Sequence, residues 1–254
     1  MRAPVVGTWG VIPEFDDPRL VAVYETINAY GPGEQPDFYE RLAREIGARR
    51  IVDLGCGTGL ITRALAERDF EMIGVEPSAL MLAVARRQPF GDRVDWIEGG
   101  ADALGAERAD LAIMTGHVAQ FFVADDDWRR ALLALRGAMR SRGALAFETR
   151  NPLARAWERW TRADAVTVRD PIAGEIETWT EVDIVADGVV SFTNHYRFLA
   201  TGVDVVSPAR LRFRTEDELR ATLAAAGFAI AHLYGDWDGR PATATTPELI
   251  VVAS

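Results

Sequence analysis

The residues best suited to chemistry lie in one short segment, Val52-Asp53-Leu54-Gly55-Cys56-Gly57-Thr58-Gly59. Glycines at every second position after an apolar strand pattern let the backbone pass close to a ligand. The helix predicted to follow presents free amide N–H groups toward the same place. The dinucleotide fingerprint G-x-G-x-x-G needs a further glycine where this chain has Leu60 or Thr62. The pattern therefore predicts a ligand-binding turn and disfavours NAD.

A carboxylate residue, Glu76, follows the glycine turn in the sequence. Glu76 ends the apolar run Met72-Ile73-Gly74-Val75 and lies 17 residues after Gly59. An acid at the tip of a second strand can accept hydrogen bonds from both hydroxyls of a ribose. After a glycine turn of this kind, Glu76 indicates a ligand that contains a ribose.

Alternating strand and helix patterns must position these residues. Helices are predicted over 19–30, 36–47, 60–68, 79–88 and 126–140. Strands are predicted over 50–54, 71–76, 94–98, 110–115 and 144–149. Short buried strands that alternate with helices form parallel sheets, so an α/β fold is expected.

The pattern changes after residue 150. Segments 175–185 and 189–199 are strand-like and are joined by the hairpin signal Asp187-Gly188, and a third strand is predicted over 203–213. In the second arm Asn194 interrupts an otherwise apolar face. A helix starting at Thr215 and ending at Gly227, then strands near 228–234 and 248–253, close the domain.

The segments D-L-G-C-G-T-G and G-V-E-P-S resemble the class I S-adenosylmethionine (SAM)-dependent methyltransferases, over roughly residues 50–150 and the closing elements. The resemblance implies a Rossmann-like sheet, mostly parallel with an antiparallel last strand, helices on both faces, and an antiparallel β insertion after the fifth strand. The expected units are an N-terminal helical cap (1–49), a SAM-binding core (50–150), an insertion or lid (151–213) and a completing segment (214–254).

The same resemblance assigns the donor site. Gly55, Gly57 and Gly59 would line the methionine part of SAM, and Asp53 would orient its amino group. Glu76 would hold the ribose, and Met81 would pack near the adenine. The remaining expected cofactor-binding residues are Cys56, Pro77, Gly100, Ala101, Asp102 and Thr115.

The loop after the third strand departs from the family pattern. Relatives commonly carry G-D-A there, whereas this chain has Gly99-Gly100-Ala101-Asp102. Either Asp102 reaches the adenine, or a backbone amide near Ala101 recognises it alone.

Two residues at the tips of the fourth and fifth strands are candidates for acting on the acceptor. His117 could be a general base, or a hydrogen-bonded structural or SAM-contacting residue. Arg150 could bind an acceptor carboxylate or phosphate, or form an ordinary salt bridge, for instance with Glu148. The aromatic residues proposed as cleft walls are Tyr24, Tyr30, Trp157, Trp160 and Trp179. The three histidines and one cysteine have no metal-ligand spacing, so no metal is expected.

Composition narrows the function further. The net charge of −10 opposes binding to nucleic acid, and there is no long apolar run or signal-like N-terminus. We expect a cytoplasmic enzyme that transfers methyl from SAM to a nitrogen or oxygen of a small molecule. An exposed strand of the insertion could form the edge of a homodimer. Methylation of RNA or protein, and a non-catalytic SAM-binding regulator, remain alternatives.

Overall fold

The computed structural model describes residues 12–29 and 35–254, which form two β-sheets with helices packed around the larger one. The helices are α1 (Pro13–Asp16), α2 (Pro18–Ile27), α3 (Gln35–Glu45), α4 (Leu60–Glu67), α5 (Ala79–Ala85), α6 (Val118–Phe121), α7 (Asp125–Ala138) and α8 (Glu216–Ala225). The strands are β1 (Arg50–Leu54), β2 (Glu71–Glu76), β3 (Val94–Glu98), β4 (Ala109–Met114), β5 (Met139–Arg150), β6 (Val166–Asp170), β7 (Gly174–Ala186), β8 (Val189–Phe198), β9 (Val203–Arg212), β10 (Ile230–Tyr234) and β11 (Glu248–Ala253).

The larger sheet has seven strands in the order β10-β11-β5-β4-β1-β2-β3. Strands β1 to β5 run parallel to one another, and the final strand β11 is antiparallel to both β5 and β10. The predicted α/β class, including the antiparallel last strand, is confirmed. Because the first five strands are parallel, their carboxyl ends meet at one edge of the sheet, where ligands bind in such folds.

Apolar side chains on the two faces of this sheet form two separate cores. On β1, Val52 and Leu54 pack on one side with α7 and α8, while Ile51 packs on the other with α3 and α4. This alternation follows from the two-residue period of a strand. With helices on both faces, the central strands are buried and rigidly placed, and so are the loops at their carboxyl ends.

The smaller sheet is the antiparallel insertion expected after the fifth strand, in the order β6-β7-β8-β9. Its apolar face packs against α2, through a cluster that includes Leu20, Val23, Ile176 and Tyr196. Helix α2 also contacts α5, so it lies between the smaller sheet and a helix of the larger one.

Several boundaries differ from the sequence-based expectations. The helix α7 ends at Ala138, because Met139 is extended and pairs with Ala109 on β4. The edge strand β6 and the short helix α6 were not predicted, since each is only four or five residues long. Of the predicted cleft aromatics, Tyr30 lies outside the described residues. No helix within the described residues is long and apolar enough to cross a membrane.

Trp128 is the residue whose truncation should cost the fold most. Its ring is fully buried, contacts Phe147 edge-on, and donates its indole N–H to the Thr222 hydroxyl at 3.0 Å. We predict that Trp128→Ala lowers the free energy of unfolding by about 3–5 kcal/mol, measured by urea denaturation. Leu133→Ala on the same helix, where the side chain is 44% exposed, should change it by less than about 0.5 kcal/mol. Equal effects of the two substitutions would contradict this assignment of the core.

Candidate active site

The glycine turn after β1 has the backbone that its sequence requires. Gly55, Gly57 and Gly59 all adopt positive φ, at 79°, 58° and 79°. A Cβ on Gly55 or Gly59 would strike Val118 or Trp96, so these two glycines allow tight packing. A Cβ on Gly57 would instead lie 3.4 Å from Met81 Cε and 4.0 Å from the Tyr24 ring. Gly57 thus faces a space bounded by Met81 and Tyr24, where a ligand could approach the backbone.

Asp53, at the tip of β1, is fully buried beneath this turn. One carboxylate oxygen accepts a hydrogen bond from the Thr62 hydroxyl at 2.7 Å. The other is buried and has no partner among the described residues. Burial raises the pKa of Asp53 to about 7, and the nearby carboxylates Glu148 and Glu76 act in the same direction. A cationic or hydrogen-bond-donating ligand group would satisfy this oxygen.

Glu76, at the tip of β2, joins two loops. Its carboxylate accepts the Gly57 N–H at 3.0 Å and the Ser78 N–H at 2.9 Å. The Ser78 hydroxyl then donates to the Phe15 carbonyl at 2.6 Å, which ties the N-terminal segment to this edge of the sheet. Burial raises the pKa of Glu76 to about 7, against the opposing effect of the two amide hydrogen bonds.

The remaining donor-site residues predicted from sequence surround the same edge. Met81 is buried on α5, Cys56 is buried in the turn, and Pro77 is exposed. Burial raises the pKa of the Cys56 thiol, so it is a neutral part of the packing. Beyond β3, Gly100 precedes a single 3₁₀ turn, Ala101–Ala103, in which the Ala101 side chain is buried and the Asp102 side chain exposed. The role of Asp102, or of the amide near Ala101, stays a prediction.

Beyond β4 the chain turns sharply at Thr115, Gly116 and His117. Thr115 is buried, and both following residues adopt positive φ, at 68° and 62°. The Glu148 carboxylate on β5 accepts the amide N–H groups of Gly116 and His117 and the Tyr39 hydroxyl. Glu148 is fully buried, which raises its pKa. This carboxylate fixes the loop, a role that sequence reasoning did not assign to it.

The His117 ring is engaged with Glu248 at the start of β11, with Nε2 3.0 Å from a carboxylate oxygen. Among the residues that line the neighbouring cavity, Gly116 is present and His117 is not. This geometry favours the interpretation of His117 as a hydrogen-bonded structural residue over its interpretation as a general base.

Arg150 lines the cavity without a salt bridge. Its guanidinium donates to Gln120 Oε1 at 3.0 Å and lies 5.4 Å from the Trp160 ring centre. Among the described residues, no carboxylate lies within 4 Å of the Arg150 guanidinium. The suggested salt bridge to Glu148 is therefore wrong. Burial lowers the pKa of Arg150 from its ordinary value, while Glu248, Glu148 and Glu14 oppose that shift.

A cavity of about 450 Å³ opens beside the donor-site loops. Its walls come from α1 and α2, the ends of β4 and β5, the segment 159–166, and the strands β7 and β8. The aromatic residues of the wall are Phe15, Tyr24, Phe121, Trp160, Trp179, Phe192 and Tyr196. Trp157 was proposed for this wall, but its ring packs on Phe213 at 4.7 Å, among buried apolar residues. A cavity of this size and lining suits a small organic molecule.

One acid in this cavity was missed by sequence reasoning. Glu14 on α1 accepts the Asn194 side-chain N–H at 2.9 Å and lies near the Tyr196 hydroxyl. The one available signal was Asn194, the polar residue that interrupts the apolar face of β8. Its contact with Glu14 spans 180 residues of sequence, so no local pattern pointed to it.

Known proteins of similar sequence and structure are methyltransferases. Residues 51–143 match a family described as a methyltransferase domain. The CcbJ methyltransferase of Streptomyces caelestis superposes with a TM-score of 0.74 at 22% identity, covering 97% of both chains. The sugar N-methyltransferase KedS8 of Streptoalloteichus gives a TM-score of 0.71 at 20% identity, covering 91% of each.

Among curated proteins, a cypemycin N-terminal methyltransferase from Streptomyces is 24% identical over 94% of this chain and 97% of its own length. The fold is that of the class I methyltransferases. The resemblance recognised in the sequence is confirmed, and the chain is a SAM-dependent methyltransferase. Among the described residues, no group of three or more histidine, cysteine or acidic side chains could hold a metal ion.

Glu76→Gln should change how stability depends on pH. Burial raises the folded-state pKa of Glu76 from 4.5 to about 7. The folded state therefore holds this proton more tightly than the unfolded chain, and the wild type loses stability as pH rises through that window. The variant lacks this loss. Its free energy of unfolding relative to wild type should increase by roughly 1–3 kcal/mol between about pH 5 and pH 8, measured in urea. A difference that is the same at both pH values would contradict the assignment.

Proposed function

We propose that this enzyme transfers the methyl group of SAM to a nitrogen or oxygen of a small molecule bound in the 450 Å³ cavity. The observation that carries the proposal is the position of Tyr24. Its ring faces Gly57 in the predicted donor turn and also lines the cavity. A donor bound against the turn and an acceptor in the cavity would therefore be neighbours.

The donor-site residues have chemistry that fits SAM. The unpartnered oxygen of Asp53 is suited to the amino group of the methionine part. The Glu76 carboxylate is suited to the ribose hydroxyls, and the absence of a side chain at Gly57, between Met81 and Tyr24, lets the ligand lie against the backbone. SAM supplies an activated methyl group on a sulfonium, so the protein has to provide mainly position and exclusion of water.

Exclusion of water follows from how the N-terminal helices are attached. The Ser78–Phe15 hydrogen bond fixes α1 next to β2, and a 2.6 Å ion pair between Glu25 and Arg63 fixes α2 against α4. The Phe15 ring contacts both Tyr24 and Phe121. A donor bound at the turn would lie beneath this cover, which would limit the access of water that competes for the reactive positions.

For the acceptor, Arg150 is the residue we assign to an electron-rich or anionic group, because it lines the cavity and lacks an ion-pair partner among the described residues. His117 we assign to positioning: its contact with Glu248 holds the loop that carries Gly116. The small-molecule class is supported by the cavity size and by the sugar N-methyltransferase with the same fold.

Binding of SAM should depend on the absence of a side chain at Gly57. Gly57→Ala places a methyl group between Met81 and Tyr24 and should weaken SAM binding at least about tenfold in calorimetric titration. Gly47→Ala is the matched control, because Gly47 has a similar φ of 67° and nothing within 4 Å of a new Cβ. It introduces the same backbone strain and should leave the affinity unchanged. Equal loss in both variants, or no loss in either, would contradict the proposed donor site.

SAM should also bind more tightly as pH rises from about 6 to 7.5. The pKa values of Asp53 and Glu76 are both raised to about 7, so both carboxyl groups are partly protonated in this range. Ligand amino and hydroxyl groups favour the ionised carboxylates, so binding releases protons and the dissociation constant should fall roughly three- to tenfold. Calorimetry in two buffers with different ionisation enthalpies measures the proton release directly. Proton uptake, or affinity independent of pH, would contradict this electrostatic account.

A further inference from the structure

Glu14 is a carboxylate set in the cavity wall without a cation to neutralise it. One hydrogen bond holds its side chain, from Asn194 Nδ2 at 2.9 Å, and the Tyr196 hydroxyl lies near its carboxylate. No arginine or histidine of the described residues lies within 4 Å of it. Burial raises the pKa of Glu14, because the ionised carboxylate is poorly solvated there.

The position of Glu14 is fixed by its neighbours along the chain. Its backbone N–H donates to the Ser207 hydroxyl at 3.0 Å, and the following Phe15 carbonyl accepts from Ser78 at 2.6 Å. Asn194 is itself oriented, because its amide oxygen accepts the Thr180 hydroxyl at 2.7 Å. Three elements from distant parts of the chain thus hold one carboxylate at the cavity, a degree of constraint typical of a binding group.

Glu14 also lies on the donor side of the cavity. The next residue, Phe15, accepts the Ser78 hydroxyl through its carbonyl, and its ring contacts Tyr24, whose ring borders Gly57. Arg150 lines the same cavity and attracts Glu14, yet the two form no ion pair. A cavity that keeps a carboxylate and a guanidinium apart can offer each of them to a different group of one ligand.

We propose that the acceptor carries a protonated amine, that Glu14 binds this amine beside the donor turn, and that the nitrogen is the methylated atom. This inference rests on the proposed function and selects nitrogen over oxygen within it. A protonated nitrogen has no free electron pair, so it must lose a proton before transfer. That proton moves to the Glu14 carboxylate, which becomes a neutral carboxyl group. The freed electron pair of the nitrogen then forms the new N–C bond as the bond between the methyl group and the sulfur of SAM breaks. The electron pair of the broken bond stays on sulfur, and S-adenosylhomocysteine is the leaving group.

Matched amine and alcohol probes test the inference. We would titrate the protein, saturated with S-adenosylhomocysteine, with benzylamine and benzyl alcohol and with D-glucosamine and D-glucose. Tryptophan fluorescence is the readout, since Trp160 and Trp179 line the cavity. In wild type at least one amine should bind about tenfold or more tightly than its alcohol. In Glu14→Gln, which keeps the shape and the hydrogen-bonding oxygen, the preference should fall to about threefold or less.

Asp164→Asn is the control, because Asp164 also lines the cavity but is exposed and accepts a hydrogen bond from Thr161. It should keep the amine preference, as should Glu14→Asp, which retains the charge. Equal binding of both amines and their alcohols in wild type, no binding of either amine, or a preference that survives in Glu14→Gln would overturn the inference. Failure of the wild type to bind S-adenosylhomocysteine would instead overturn the proposed donor site, so the two failures are distinguishable.

Discussion

The arrangement of this site depends on one buried carboxylate, that of Glu76. It accepts the amide N–H groups of Gly57 and Ser78 and so joins the glycine turn after β1 to the turn after β2. Through the Ser78 hydroxyl the same connection reaches Phe15 and the helix α1. The glycine turn and the cover of the cavity are therefore parts of one hydrogen-bonded unit. A displacement of either loop is therefore expected to displace the other through these hydrogen bonds.

Burial of acids at the strand ends gives the site its electrostatic character. Asp53, Glu76 and Glu148 end or nearly end the strands β1, β2 and β5, and all three have pKa values raised by loss of solvent. Glu148 is satisfied by two amides and a tyrosine hydroxyl, so it serves the structure. Asp53 keeps one oxygen without a partner among the described residues. A ligand with positive or hydrogen-bond-donating groups replaces the solvation that these carboxylates lose on burial. Ligand binding is therefore linked to proton release and to the stability of the fold.

Local patterns predicted the strands around the glycine turn well, because this part of the sheet is built from short segments with strong signals. The strands β1 and β3 begin and end where the sequence indicated, and the glycine turn and Glu76 lie where they were expected. The acceptor half could not be predicted in the same way. The contact of Glu14 with Asn194 depends on packing between the N-terminus and the insertion. The contacts of Arg150 also depend on long-range packing. The sequence suggested a salt bridge, whereas in the structure the guanidinium contacts Gln120 and the Trp160 ring.

The central claim is that the donor methyl opens onto the cavity beside Tyr24. Its most direct test is a nuclear Overhauser measurement on the protein saturated with SAM that carries a ¹³C-labelled methyl group, with only tyrosine rings protonated. The account predicts a cross-peak from the methyl to tyrosine ring protons that disappears in Tyr24→Leu while SAM still binds. Saturated binding with no such cross-peak, or a cross-peak that persists in Tyr24→Leu, would contradict it.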